Sequence, residues 1–212
     1  GLVGSEMCIR DRYYSLLTQM RVNGGNDYIN LVNSILSGKC NQQACLENYD
    51  FKVMSDFNRF NNLQQKLEDE FTLSRMIAGY AWEWKSKKDK SLYDMELDGV
   101  KKQWNYRLEN WVLSEGADKQ VGCIHTIQGF DLNYGFVIMG NEIGYDPESK
   151  EIIVRPENYY DQNGRKTASK EELLEYIKHI YYVLMTRGIK GTYLYICDDN
   201  LRKYVSSIIG EI

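Results

Sequence analysis

Apolar residues recur along this chain at two different spacings. After a turn at Gly24-Gly25, residues 26–37 place Tyr28, Ile29, Leu31, Val32, Ile35 and Leu36 on one helical face. Ser55–Phe71 repeats the pattern with Phe57, Phe60, Leu63 and Leu67, and Ser55 reads as its N-cap. Ser169–Met185 is the strongest helix. Ser169 caps it, Glu171 and Glu172 suit the positive end of the dipole, and Leu173, Leu174, Ile177, Ile180, Tyr181 and Leu184 form the buried stripe. Asn200–Ile209 predicts a closing amphipathic helix.

Between these helices lie short runs of strand character: Phe51–Met54, Arg75–Tyr80, Gln120–Thr126, Phe136–Met139 and Thr192–Ile196, with Glu151–Val154 as an edge strand. Strands this apolar, separated by helices, predict an α/β fold with a mainly parallel sheet covered on both faces. A boundary near residue 72 divides a helical lead-in, residues 13–71, from the sheet body, residues 72–212. Trp82–Lys119 holds Trp82, Trp84, Trp104 and Trp111 and shows no period that assigns it.

Composition narrows the class. No apolar run approaches the roughly 20 residues that span a bilayer, so no membrane association is expected. The chain carries 26 basic and 30 acidic residues, a formal charge of −4. Any grip on nucleic acid must therefore come from local cations or backbone groups. Leu2–Arg12 (LVGSEMCIRDR) resembles a translated sequencing adaptor, so residues 1–12 read as an artefactual leader, with the natural protein expected to continue upstream of Tyr13. Removing Glu6, Arg10, Asp11 and Arg12 with it leaves the net charge unchanged. With Cys8 set aside, Cys40, Cys45, Cys123 and Cys197 are scattered, which suits a reducing cytoplasm. Cys40 and Cys45 lack the partners that complete a zinc site, so no metal ligand is assigned. Cys123 and His125, two apart on an expected strand, lack an orienting third group.

Three segments carry candidate chemistry. Val121–Leu132 (VGCIHTIQGFDL) ends a strand in His125-Thr126, turns through Gln128-Gly129 and reaches Asp131; ligands favour the carboxyl ends of such strands. Tyr182–Gly191 (YVLMTRGIKG) delivers Arg187 from a helix end into a Gly-flanked turn. Leu16–Arg21 (LLTQMR) places Arg21 after a polar Gln. No Gly-x4-Gly-Lys-Ser/Thr occurs; Ser37-Gly38-Lys39-Cys40 fails at both ends, so Glu142 is not read as a magnesium ligand.

Together these segments resemble motifs V, VI and IV of superfamily 1 helicases. With SRMIAGYAWEW (74–84) and QWN (103–105), they are most similar to a bacterial ATPase family of unknown function, the DUF2075-type, schlafen-like helicase domains. The resemblance covers nearly all of Tyr13–Ile212. It implies a RecA-like, P-loop NTPase-type three-layer sandwich that forms only the second lobe of a helicase or translocase. ATP and Mg2+ would then be held by an upstream RecA-like lobe of the same chain, and the polymer would be single-stranded DNA or RNA. By the same resemblance Arg187 is the arginine finger and Arg21 the second γ-phosphate contact. Gln128 and Gly129 approach the γ-phosphate, and Asp131 holds the ribose hydroxyls where many relatives carry Glu. His125 and Thr126 face the nucleic acid.

The chemistry suits the residue types. A guanidinium is always charged and forks onto phosphate oxygens as charge spreads over them. Each residue also has a structural reading. Arg187 could cap helix-end carbonyls, Arg21 and Arg75 could be surface pairs, and His125 could be a satisfied core histidine. Lys190 reads as a solvated turn charge, and the tryptophans as packing. A RecA-like lobe serving as a non-unwinding regulatory or partner-binding module is the alternative function.

Overall fold

The computed structural model describes residues 21–161 and 169–212. The leader and all of LLTQMR except Arg21 lie outside the described residues. Five strands form one parallel sheet: β1 (Asp50–Val53), β2 (Ser74–Ala78), β5 (Val121–Cys123), β6 (Leu132–Met139) and β9 (Gly188–Ile196), in the order β1-β9-β6-β2-β5. Two hairpins stand outside it, β3 (Met95–Leu97) with β4 (Val100–Lys102) and β7 (Ile143–Asp146) with β8 (Glu151–Val154). Glu151–Val154 is thus a strand, but it pairs with β7 and not with the edge of the main sheet.

Alternation along the strands creates two cores. Ile77, Val137, Met139, Leu194 and Ile196 face one side. There they meet α1 (Gly25–Leu36), the short α3 (Ile124–Ile127), α4 (Lys170–Met185) and α5 (Asp199–Ile209). Met76, Ala78, Phe136, Ile138, Tyr193 and Tyr195 face the other, under α2 (Phe57–Phe71) and Trp104. The result is the expected three-layer α/β sandwich. β1, from the lead-in segment, pairs with β9 and contributes Phe51 and Val53 to the first core. Residues on both sides of position 72 therefore share one sheet.

Local chemistry explains the helix ends. α4 starts on a full capping box: Glu172 N–H donates to Ser169 Oγ at 3.2 Å and Ser169 N–H to the Glu172 carboxylate at 2.7 Å. α2 is capped by Asp56, not Ser55; its carboxylate accepts from Asn58 and Arg59 N–H. A carboxylate is the stronger acceptor at a helix start.

The tryptophan-rich segment is mostly packing. Trp104 and Trp111 are fully buried, with the Trp111 indole N–H donating to Gln120 Oε1 at 3.0 Å. Arg75 is buried too. It pairs with Glu68 at 2.6 Å and donates twice to the Val112 carbonyl, so it clamps a loop across β2 and is not a surface pair.

Candidate functional site

The strand expected over Gln120–Thr126 ends at Cys123, and residues 124–127 form a single helical turn. That turn and the four residues after it return the chain along the sheet. Cys123 pairs beside Ala78 at the carboxyl end of β2, whereas Leu132 opens β6 opposite Gly188, the first residue of β9. The motif is thereby split between the two edges of the sheet. His125 and Thr126 stay near the carboxyl edge, Gln128 and Gly129 lie on the return between the two edges, and Asp131 reaches the amino edge. The main cluster of predicted residues therefore forms at the amino ends of β6 and β9, opposite the edge where strand-end ligands were expected.

Arg187 is placed there by two elements at once. α4 ends at Met185, and β9 begins one residue after Arg187. The Arg187 carbonyl accepts from Leu132 N–H at 2.9 Å, which ties it to β6, and Arg187 N–H donates to Leu184 O at 3.3 Å. Gly188 permits this closeness: a Cβ there would sit 2.1 Å from Gly191 O and 3.0 Å from Gly135 N.

The carbonyls on either side are held by buried hydroxyls. Tyr28 donates to Met185 O at 2.7 Å, Thr192 to the same oxygen at 3.1 Å, and Tyr49 to Gly188 O at 2.9 Å. Burial raises the Tyr28 phenol well above its ordinary value and pushes Tyr49 up to about 12, so both remain donors at neutral pH. Sequence inspection placed Tyr28 on an apolar stripe and missed this role. The available signal was a phenol among aliphatic residues, since a buried hydroxyl requires a partner.

The Arg187 side chain is half-buried, and its Nε donates to Val183 O at 3.2 Å. Among the described residues its terminal amino groups make no hydrogen bond. Burial lowers its pKa, and the neighbouring Arg21 charge lowers it further, while Asp131 acts in the opposite direction. Arg21 pairs through Nε with Asp131 at 2.9 Å. Nearby, Asn23 N–H donates to Ile189 O at 2.9 Å and Val22 is buried. Among the described residues Arg187, Arg21 and Asp131 are thus brought together with two positive charges against one negative, a field that favours an anion. Gln128 and Gly129 form the exposed turn just before Asp131. Gly129 has φ +83° and open space where a Cβ would stand.

At the carboxyl edge His125 is exposed, with its ring 5.8 Å from that of Tyr80. It is not a buried core histidine. Because residues 124–127 are helical, Cys123 and His125 do not share a strand face. Thr126 is buried, and its hydroxyl accepts from Cys123 N–H at 3.1 Å and donates to Cys123 O at 2.9 Å. It closes the start of α3 as a capping contact.

Behind this edge Glu142 is fully buried and accepts from the Tyr181 hydroxyl, and its Oε2 has no partner among the described residues. Burial pushes its carboxyl up to about 7. Burial also pushes the neighbouring Cys197 thiol up to about 12, with Glu142 and Asp98 adding to the rise. Cys40, Cys45, Cys123 and Cys197 are free thiols. Among the described residues no helix is long and apolar enough to cross a membrane. Lys190 lies with its ammonium 4.1 Å from the Phe71 ring centroid, a cation–π contact in place of a bare turn charge.

The fold is a parallel three-layer α/β sandwich. The chain belongs to the Schlafen group 3, DNA/RNA helicase domain family, which it matches over residues 5–198. It is also similar to the uncharacterized protein YPL245W of Saccharomyces cerevisiae, at 31% identity over 215 residues. That alignment covers 90% of this chain and 47% of the yeast protein, so the chain spans about half the length of that relative. No solved structure matches it significantly.

Proposed function

We propose that this lobe is the second motor lobe of an ATP-dependent DNA or RNA helicase or translocase. In this reading it acts on ATP and Mg2+ bound by an upstream RecA-like lobe. The observation that carries the proposal is the cluster at the amino edge: Arg187 half-buried on a doubly anchored backbone, beside Arg21 and Asp131. The donor set fits phosphate oxygens. Arg187 and Arg21 would hold them, with Gln128 and Gly129 approaching from the adjacent turn and Asp131 positioned to exchange Arg21 for a ribose hydroxyl. Magnesium would neutralise phosphate charge from the other lobe. Because the guanidiniums meet the nucleotide only on closure, hydrolysis becomes dependent on lobe geometry. His125, on the opposite edge, would face single-stranded nucleic acid and couple polymer to that closure.

In the longer protein containing both lobes, Arg187→Ala is expected to lower ATP hydrolysis by about 10³-fold or more. Nucleotide affinity should change only a few-fold. Steady-state turnover together with a fluorescent-nucleotide titration measures both, and near-normal turnover sinks the assignment.

One observation favours the alternative of a non-unwinding regulatory or partner-binding module: Arg187 Nε already caps Val183 O and Arg21 already pairs with Asp131. Under that reading no DNA or RNA stimulates hydrolysis in the longer protein. The motor reading expects stimulation.

A further inference from the structure

The tryptophan-rich segment is left unused by the motor chemistry, yet its outer surface is distinctive. Three rings each carry an ammonium over the face. Lys87 Nζ lies 5.6 Å from the Trp84 centroid, Lys90 Nζ 5.8 Å from Tyr106, and Lys101 Nζ 6.0 Å from Tyr93. Tyr93 is 53% exposed and Tyr106 50%.

The frame beneath is fixed. Buried Asp94 accepts from Ser86 N–H and Oγ and from Trp104 N–H, and the Gln103 amide donates to the carbonyls of Lys90 and Leu92. Tyr106 in turn donates its hydroxyl to Gln103.

Positive charge exceeds negative in the middle of the segment, although Trp82–Lys119 as a whole balances at eight basic and eight acidic residues. Residues 84–107 hold seven basic and four acidic residues in a protein of net −4. All four of those acids are engaged: Asp94 in the frame, Asp98 with Phe57 N–H and the Tyr195 hydroxyl, Asp89 with Ser91, and Glu96 with Lys101 at 4.0 Å. The segment is tied to the carboxyl edge through the interior: ring contacts run from Trp84 to the fully buried Trp104, from Trp104 to Tyr80, and from Tyr80 to the exposed His125.

We infer that Trp84, Tyr93 and Tyr106, with Lys87, Lys90 and Lys101, form a stacking surface for single-stranded nucleic acid. This deepens the motor reading and rests on it. A base can replace the ammonium on each ring face while the ammonium moves to the adjoining phosphate, so ring and charge serve the same nucleotide. An acidic protein partner would need the lysines and would be indifferent to the rings. The net-acidic remainder of the chain confines the polymer to this strip.

The test is fluorescence anisotropy of labelled oligothymidylate titrated with the 212-residue chain. Tyr93→Ala/Tyr106→Ala is expected to weaken binding about tenfold or more, while Tyr93→Phe/Tyr106→Phe stays within about twofold of the parent. Lys87→Gln/Lys90→Gln/Lys101→Gln should weaken binding and flatten its dependence on the logarithm of salt concentration by up to about three. Unchanged melting temperatures for the tyrosine variants keep folding out of the comparison.

The surface assignment is overturned if the double alanine variant binds like the parent. It is equally overturned if polyglutamate displaces the oligonucleotide and the rings prove irrelevant, or if the parent chain does not bind. None of these outcomes touches the Arg187→Ala turnover measurement, which judges the motor reading separately.

Discussion

Glu142 shows how much one side chain can impose on this fold. It sits without exposure behind the carboxyl ends of β2 and β6, where a Cβ on Gly79 or Gly140 would lie 2.7 or 2.6 Å from its carboxylate oxygens. Burial holds its proton up to about pH 7, partly countered by the Tyr181 hydrogen bond, whereas the unfolded side chain ionises near 4.5. Between those values the folded protein binds a proton that the unfolded chain has released. Its stabilising effect is complete below about pH 4.5 and is lost as pH rises through about 7. Glu142→Gln is expected to remove this dependence and to be the more stable protein at pH 8, by up to about 3 kcal/mol. Urea denaturation of both proteins at pH 5 and pH 8 measures it; parallel pH trends would show that the buried acid is not the source. Only its place after an apolar strand was readable from sequence, which neither marks it as a magnesium ligand nor gives any sign of its burial. The partner that defines it, Tyr181, lies 39 residues away.

At the level of elements, legibility followed how local the determining interactions are. α4 was readable to its cap because Ser169 and Glu172 exchange hydrogen bonds within one turn. α3 was hidden because four residues are too few for a helical period, and Ile124–Ile127 continues the apolar run of β5. Arg187, Arg21 and Asp131 were singled out by the family resemblance. The hydroxyls that fix the Arg187 segment were not, since Tyr28 meets Met185 across 157 positions and Tyr49 meets Gly188 across 139. The junction of α4 and β9 is correspondingly intolerant of added volume. Gly188→Ala must move Gly191 O or the β6 backbone, and an overpacking cost of about 1–3 kcal/mol is expected. A lower urea midpoint with an unchanged m-value is the signature; an unaltered midpoint would show that the bulge at Leu132/Tyr134 absorbs the methyl.

For the whole molecule, the lead-in and the sheet body form one sandwich. α1 and β1 complete the first core beside α4 and β9, and α2 covers β2 and β6 on the second. Residues 21–212 are therefore expected to unfold in a single transition. Tryptophan fluorescence reports only on residues 82–111, and far-ultraviolet dichroism on every helix; their denaturation curves should superimpose. An early dichroism change preceding the fluorescence change would instead place a seam near residue 72.

Between Cys123 and Leu132 just eight residues join opposite rims of the sheet, a distance of roughly 20 Å along the strands, and four of them are coiled into a helical turn. So short a tether has almost no slack. Displacing Asp131 far from β6 would first open the turn that Phe130 N–H closes on Ile127 O, and only then uncoil the helical turn that carries His125.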